Sequence, residues 1–510
     1  MNPPVDSPDF LAVASRFQLG MLDTERPHPQ TLRLAEWARG DLPAALAALR
    51  AVDREALEIL RGRFSSLAPL RIAMREVIDR GDRIFLCGCG ATGRLSIALE
   101  IFARAGLLRG ANVSNIIGFM AGGDAALIRA IERFEDHPEH AERQLRELGF
   151  RDGDLLVAST EGGETPFVIG AAETAATASR ERPFFLYCNP DDLLHRHVER
   201  SRRVLDNGSI RKINLAVGPM ALSGSTRMQA STVLMAAIGF SMVPEGPETA
   251  FARWMDWALG ELDWQFLAPF IESEASAYEA GEDVIYEPGP FQISVLTDTT
   301  ERSPTFALPP FERSGSSEPP SRCYLHVPGT RSPAEAWTQL LERSPRPLEW
   351  GSLSHLTGAE AILQFDFSSG LPERRRLRTG RPQRLFQIAR KGDGIVWRFG
   401  DLEHRIPVPD GISLLGENLV LKMLLNAHST LVMGRLGRYE GNCMTYVAAN
   451  NFKLIDRAIR YALQRLEQRH GLKPDYETVA RVLLREKAHL APGEPIVGRT
   501  VAAILQESQP

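Results

Sequence analysis

At 510 residues with 44% apolar side chains, the chain is too long for one hydrophobic core and has material for two or three. A formal charge of −5 gives no reason to expect a polyanionic partner, and five cysteines without repeated spacing argue for a reducing compartment over a disulfide framework. No stretch approaches the ~18 uninterrupted apolar residues of a membrane helix, and MNPPVDSPDF lacks a basic region leading into an apolar run, so a cytoplasmic chain with no membrane anchor is expected.

The first 80 residues place apolar side chains at helical intervals in LRLAEWARG, LPAALAALRAVDREALEILRGRF and LAPLRIAMREVIDRG, which predicts a helical arm over residues 1–75. From Arg83 short apolar runs alternate with helical stretches, and RIFLCG, NIIGFMAGG, DLLVAST, PFFLYCN and INLAVG are the expected strands. Strands that are apolar throughout and separated by helices imply a parallel sheet covered on both faces, here within residues 76–250. A second, less regular α/β unit is expected over residues 251–435. Its strands would be FQISVLTD, RCYLHVPG, AEAILQFDF and the hairpin-like RLFQIARKGDGIVWRFG, with ALPPFERSGSSEPPSR as a Pro/Ser-rich loop. From Ser413 onward helices dominate, and residues 436–510 are expected to form a C-terminal helical cap.

Three strand ends of the first unit run into glycine and hydroxyl residues just before a helix. They are CGCGATGRL (Gly88, Gly90, Thr92, Gly93), ASTEGGETP (Thr160, Gly162, Gly163) and LSGSTRM (Ser223, Ser225, Thr226). Ligands of open parallel sheets bind beyond the carboxyl ends of the strands, where helix N-termini offer unpaired amides and positive dipole ends. Glycine lets the backbone approach an anion and hydroxyls add donors without bulk, so the convergence points to phosphate. Taken singly, each loop is also explained by helix capping through Thr92, Thr165 or Ser223. The lone G-x-G-x-x-G match at Gly88, Gly90 and Gly93 is not followed by the acidic residue of a dinucleotide site, because NIIGFMAGG ends in methionine, alanine and glycine; no cofactor is expected.

Six stretches in order, GCGATGRL, IGFMAGGDAALIRAIERFED, TPFVIGA, CNP, VGPMALSGSTRM and STLVMGRLGRYEGNCMTYVAANNFKL, resemble the sugar-isomerase (SIS) domain family. The closest likeness is to the branch of N-acetylmuramic acid 6-phosphate etherase and glucokinase regulatory protein, over residues ~20–245 and ~413–470. The resemblance implies an α/β fold of two SIS-type doubly wound parallel-sheet domains with the N-terminal helical arm and C-terminal helical cap, and a phosphorylated hexose or amino sugar as ligand. By position it implies that Gly90, Ala91 and Thr92 form the phosphate loop, that Thr160 and Gly162 form a second loop, and that Ser225 and Thr226 add hydroxyl contacts. It implies that Arg438 replaces a lysine reaching the ligand from the C-terminal region. Glu135 falls on the glutamate that serves the etherase as catalytic acid/base and the regulatory protein as a sugar contact.

The departures from the family pattern matter as much. The etherase's second glutamate falls on Phe102, and Glu100, two residues away on a helix, points about 200° elsewhere. A glutamate and a lysine of the family fall on Met220 and Gln229, which suggests a lost ion pair. Glu164 lies in the second loop beside Glu161, where a carboxylate about 4 Å from a phosphate would be repelled by about 4 kcal/mol at an effective dielectric near 20. Either Glu164 faces the sugar and joins Glu135 as a second catalytic carboxylate, or it points outward into solvent.

The expected function is a ligand sensor of the regulatory-protein type, with a sugar kinase or another regulated protein as partner. The missing carboxylate and the extra domain favour it. The alternative is a carbon–oxygen lyase that cleaves the lactyl ether of N-acetylmuramic acid 6-phosphate through Glu135. Cys87 and Cys89 read as core, and His137, His140, His195 and His197 as surface histidines, so no metal is expected. ERRRLRTGRPQR reads as a solvated face or partner contact, not a nucleic-acid surface, and Asp298 and Glu301 make TDTTERSPTF a poor phosphate cradle.

Overall fold

The computed structural model describes residues 7–17, 19–107, 113–131, 134–449, 451–491 and 493–507. The first six residues of the expected arm lie outside the described residues. The first sheet contains β1 (Ile84–Gly88), β2 (Ile116–Met120), β3 (Leu155–Thr160), β4 (Phe184–Tyr187) and β5 (Arg211–Asn214), all parallel in the order β2-β1-β3-β4-β5. Strands β1 to β4 are buried along their whole length, as apolar-throughout runs in a doubly covered sheet should be. Chain order reverses direction between β1 and β3, so the loops leaving their carboxyl ends open a crevice there.

The second sheet contains β6 (Asp283–Glu287), β7 (Cys323–Leu325), β8 (Gln383–Lys391), β9 (Gly394–Phe399) and β10 (Leu402–Pro407), in the order β10-β9-β8-β6-β7. Strand for strand this repeats the winding of the first sheet, except that β9 and β10 run antiparallel as a meander. The β8–β9 hairpin is the expected RLFQIARKGDGIVWRFG.

Two expected strands are helical instead. FQISVLTD opens the helix Gln292–Phe306, beside the strand DVIYE, and AEAILQFDF holds the short helix Ala359–Leu363. A short apolar run carries no period that separates a buried strand from a buried helix. In Gln292–Phe306 the polar positions are buried as well, with Arg302 paired to Asp298 at 2.9 Å and to Glu274 at 2.7 Å.

The arm holds the helices Leu34–Gly40, Leu42–Arg63 and Ala68–Asp79, and the C-terminal region holds Leu414–Arg435, Phe452–His470, Tyr476–Ala488 and Ile496–Glu507. Leu46, Leu49, Leu57 and Leu60 give Leu42–Arg63 an apolar stripe, which it packs toward the helix Gln229–Ser241. Leu414–Arg435, apolar on nearly every side, runs between the two units and touches both Gln229–Ser241 and Gln292–Phe306. The helix Ala91–Phe102 of the first unit packs on Gln292–Phe306 of the second, and an Arg94–Glu301 ion pair of 2.6 Å crosses that contact. No helix among the described residues is long and apolar enough to cross a membrane.

Candidate functional site

The loop after β1 is shaped by its own backbone. A Cβ on Gly88 would lie 2.2 Å from the Thr92 carbonyl carbon, and Gly90 sits at φ +55°, so glycine is required at both. Gly90 opens the helix Ala91–Phe102 without a side-chain cap. The Thr92 hydroxyl is turned back into the loop, accepting from the Cys89 amide at 3.0 Å and donating to the Cys89 carbonyl at 2.9 Å. It stiffens the loop, and because the Thr92 and Arg94 amides donate to the Cys89 and Gly90 carbonyls, the Ala91 and Gly93 amides are the first-turn donors left to face an anion.

The loop after β3 is closed by a Thr160–Thr165 hydroxyl contact of 3.0 Å, and the carbonyls of Gly162 and Gly163 accept from Asn189 and Ser201. In the third loop Gly224, at φ +72°, lies so close to the Arg457 side chain that a Cβ would stand 2.5 Å from its Nε. Ser225 is buried, and its hydroxyl has no hydrogen-bond partner among the described residues, whereas Thr226 is half-buried. The positions of the lost ion pair carry a neutral substitute: Gln229 donates to the Pro219 carbonyl and accepts from the Ala221 amide, clasping both sides of Met220.

Glu135 lies half-buried in the turn that follows β2, with the Asn451 side-chain amide 3.5 Å from its Oε2. Burial pushes its carboxyl up to about 7, helped by Asp136, Glu164 and Glu161 and opposed by Lys453. Glu161 accepts from Ser231 at 2.7 Å, and burial raises its pKa too. Burial and then Glu135 push the Cys89 thiol of the β1 loop well up.

Glu164 does not point into solvent. It is 2% exposed and sits between Lys453 Nζ at 2.7 Å and Arg200 at 2.5 Å. Burial alone would raise its pKa, but the two cations outweigh burial and hold the carboxyl at about 2. The repulsion expected of a carboxylate in a phosphate loop is thereby neutralised within the protein.

Lys453 is the cation that reaches this space from the C-terminal region. Burial works against its charge, but Glu164 and Glu135 keep the ammonium protonated. It stands in the first turn of Phe452–His470, whose N-cap Asn451 accepts from the Leu454 amide at 2.9 Å; an asparagine before FKL is a capping signal that the sequence displayed. Arg438 is engaged elsewhere: it donates to the Gly493 carbonyl at 2.9 Å and lies over the Tyr446 ring. Phe102 is core, and Glu100 is fully buried on the other side of its helix among Arg104, Arg343 and Arg346. His137, Glu139 and His140 gather at the surface, where the His137–Glu139 contact is 2.7 Å.

The arrangement combines a half-buried carboxyl raised to about 7, an ammonium kept protonated by Glu164 and Glu135, and glycine-bearing loops at the strand ends in which the Ser225 hydroxyl has no partner among the described residues. Such a carboxyl can take a proton and return it at pH 7, and the ammonium can stabilise charge that develops next to it.

A family profile described as the glucokinase regulatory protein N-terminal SIS domain matches residues 70–176, the stretch holding Glu135 and the first two loops. An N-acetylmuramic acid 6-phosphate etherase of Exiguobacterium sp. is 30% identical over 220 residues, 42% of this chain and 67% of that protein. Etherases of the same name from Mycolicibacterium smegmatis and Salmonella agona are each 28% identical, over 42% and 46% of this chain and 66% and 73% of theirs. The matched stretch thus spans about two thirds of these relatives and less than half of this chain. Among solved structures, a tagatose-6-phosphate ketose/aldose isomerase from Escherichia coli matches at a TM-score of 0.43 and 14% identity, over 76% of this chain and 92% of that one.

Proposed function

Because this chain belongs to the SIS domain family, in the branch of glucokinase regulatory protein and N-acetylmuramic acid 6-phosphate etherase, we propose that it is a carbon–oxygen lyase acting on a phosphorylated amino sugar. Its substrate is N-acetylmuramic acid 6-phosphate or a close ether. The phosphate is received by the Ala91 and Gly93 amides and by the Ser225 and Thr226 hydroxyls, with the sugar ring directed toward Glu135 and Lys453. Glu135 as carboxylate removes the C2 proton, and the C3–oxygen bond to the lactyl group breaks. The protonated Glu135 then returns that proton to the departing oxygen, and water adds to the resulting double bond.

The observation that carries this reading is the setting of Glu135, half-buried with the Asn451 amide 3.5 Å from its Oε2 and its carboxyl pushed up by burial to about 7. With Phe102 in place of a second carboxylate, one group must act first as base and then as acid, and a carboxyl poised near neutrality populates both forms. Glu164, held ionised by Lys453 and Arg200, orients Lys453 and exchanges no proton with substrate. The named relatives also weigh toward etherase chemistry and away from the sensor expected from the sequence.

Two features favour the sensor as a second reading. The Phe102 position lacks the carboxylate of the etherase, and the second unit docks firmly on the first through Arg343 and Arg346. Incubation of the purified protein with N-acetylmuramic acid 6-phosphate, followed by assay of released lactate, separates the two. Release supports the lyase, whereas tight binding of hexose phosphates without release supports the sensor.

A further inference from the structure

The helix Pro333–Leu341 ends at Glu342, a non-glycine residue in the left-handed region at φ +52°, and the chain then crosses from the second unit onto the first as residues 343–350. Two arginines anchor this crossing. Arg343 is bonded to both oxygens of Glu100 and reaches Asp124 at 2.6 Å, and Arg346 reaches Glu100 at 2.7 Å while its amide donates to Asp124. Glu100 and Asp124 are buried and lie on either side of β2, so removing the arginines would strand two carboxylates in the interior. Leu348 follows and fills the space over Gly123, where a Cβ would come within 2.9 Å of it.

The crossing ends in Trp350, which is 5% exposed. Its ring stacks on Phe134 at 5.4 Å and 27° and meets His140 at 5.5 Å, while its Nε1 donates to Glu147 at 2.6 Å and Arg143 lies over its face at 4.4 Å. Phe134 and His140 bracket Glu135 in the chain. On the other side of the turn, the Glu135 carbonyl accepts from the Phe167 amide at 3.0 Å.

We infer that Trp350 is the positioning residue for Glu135: through its stack on Phe134, the second unit holds the acid/base turn over the crevice of the first. This rests on the lyase reading for its kinetic consequence but not for its structural one. It gives the second unit a part in the chemistry.

The test uses the full-length chain with Trp350→Ala, Trp350→Leu, which keeps part of the apolar volume without an aromatic face, and Trp350→Phe, which keeps an aromatic face but loses the N–H that donates to Glu147. Hydrogen exchange over residues 134–147 should rise at least tenfold for Ala and Leu and stay near wild type for Phe. Lactate release should fall in kcat by about 100-fold for Ala and Leu with KM nearly unchanged, as expected for a misplaced acid/base group, and Phe should recover most of it. The pH midpoint of that activity should also move down in Ala and Leu as water reaches Glu135. Lys453 and Asn451 from the C-terminal helix, Glu161 and Glu164 from the β3 loop, Cys89 from the β1 loop, and Asp136 beside it still face the carboxyl in every variant. Exchange unchanged in both Ala and Leu would overturn the proposal, as would equal losses in Phe and Leu. If the wild type released no lactate, the lyase reading would fall by itself, and the exchange comparison would still decide the role of Trp350. Leu is the variant to rely on if Ala does not fold.

Discussion

Replacing Glu164 with glutamine probes the electrostatics of the site through a single atom change. The carboxylate lies between Lys453 at 2.7 Å and Arg200 at 2.5 Å. Burial raises its pKa, but these cations bring it down to about 2 from an ordinary 4.5. At about 1.4 kcal/mol per tenfold change in proton affinity, the ionised carboxyl is worth roughly 3 kcal/mol to the folded chain. Because the folded pKa is the lower one, the unfolded chain binds more protons between pH 4.5 and about 2. The stabilisation is therefore complete above pH 4.5 and disappears as the pH falls to about 2. In urea at pH 7, with a slope of about 3 kcal/mol per molar, Glu164→Gln should unfold about 1 M earlier than wild type. The two proteins should converge as the pH approaches 2. Equal stability at pH 7 would mean that Glu164 is solvated, and would refute the buried triad of Glu164, Lys453 and Arg200.

Glu135→Gln should behave oppositely: a carboxyl raised to about 7 is favoured in its protonated form, so its ionisation destabilises the fold as pH rises from 4.5 through 7. The variant should be more stable than wild type by up to about 3 kcal/mol at pH 8 and equal to it at pH 4, measured by urea unfolding at both values. Ser225→Ala removes a hydroxyl that has no partner among the described residues, so it should leave stability within about 0.5 kcal/mol of wild type while weakening sugar-phosphate binding about tenfold in calorimetry. Thr92→Val breaks both bonds to Cys89 and should lower stability by about 1–2 kcal/mol, with loss of the rise in melting temperature that sugar phosphate gives the wild type.

The first four strands of the first sheet were legible in the sequence because each is built on an apolar run, as in IFLCG and LLVAST, whereas the fifth, RKIN, is polar and mostly half-buried and stands at the sheet edge. The helix Gln292–Phe306 was not legible, because its Arg302 is satisfied by Asp298 and by Glu274, a residue 28 positions away, and its Asp298 also by Arg227, partners that local pattern does not reveal. The site divides the same way. Glycines at Gly88 and Gly90 are demanded by backbone geometry that the motif encodes. The fate of Glu164 depends on Lys453, 289 residues away, and no spacing rule connects the two. The same separation bears on Arg438 and Lys453, since chain order alone does not tell that Arg438 donates to Gly493 while Lys453 reaches Glu164. Trp350 shows the effect at its strongest, standing in a loop of the second unit and stacked beside the acid/base of the first.

The pH dependence of lactate release from N-acetylmuramic acid 6-phosphate is the most direct test of a single carboxyl acting as base and then acid. The expected result is a kcat/KM that climbs through a midpoint near 7 and a loss of about 100- to 10,000-fold in Glu135→Gln. Release by Glu135→Gln at the wild-type rate, or a wild-type profile that stays flat across that midpoint, would contradict it.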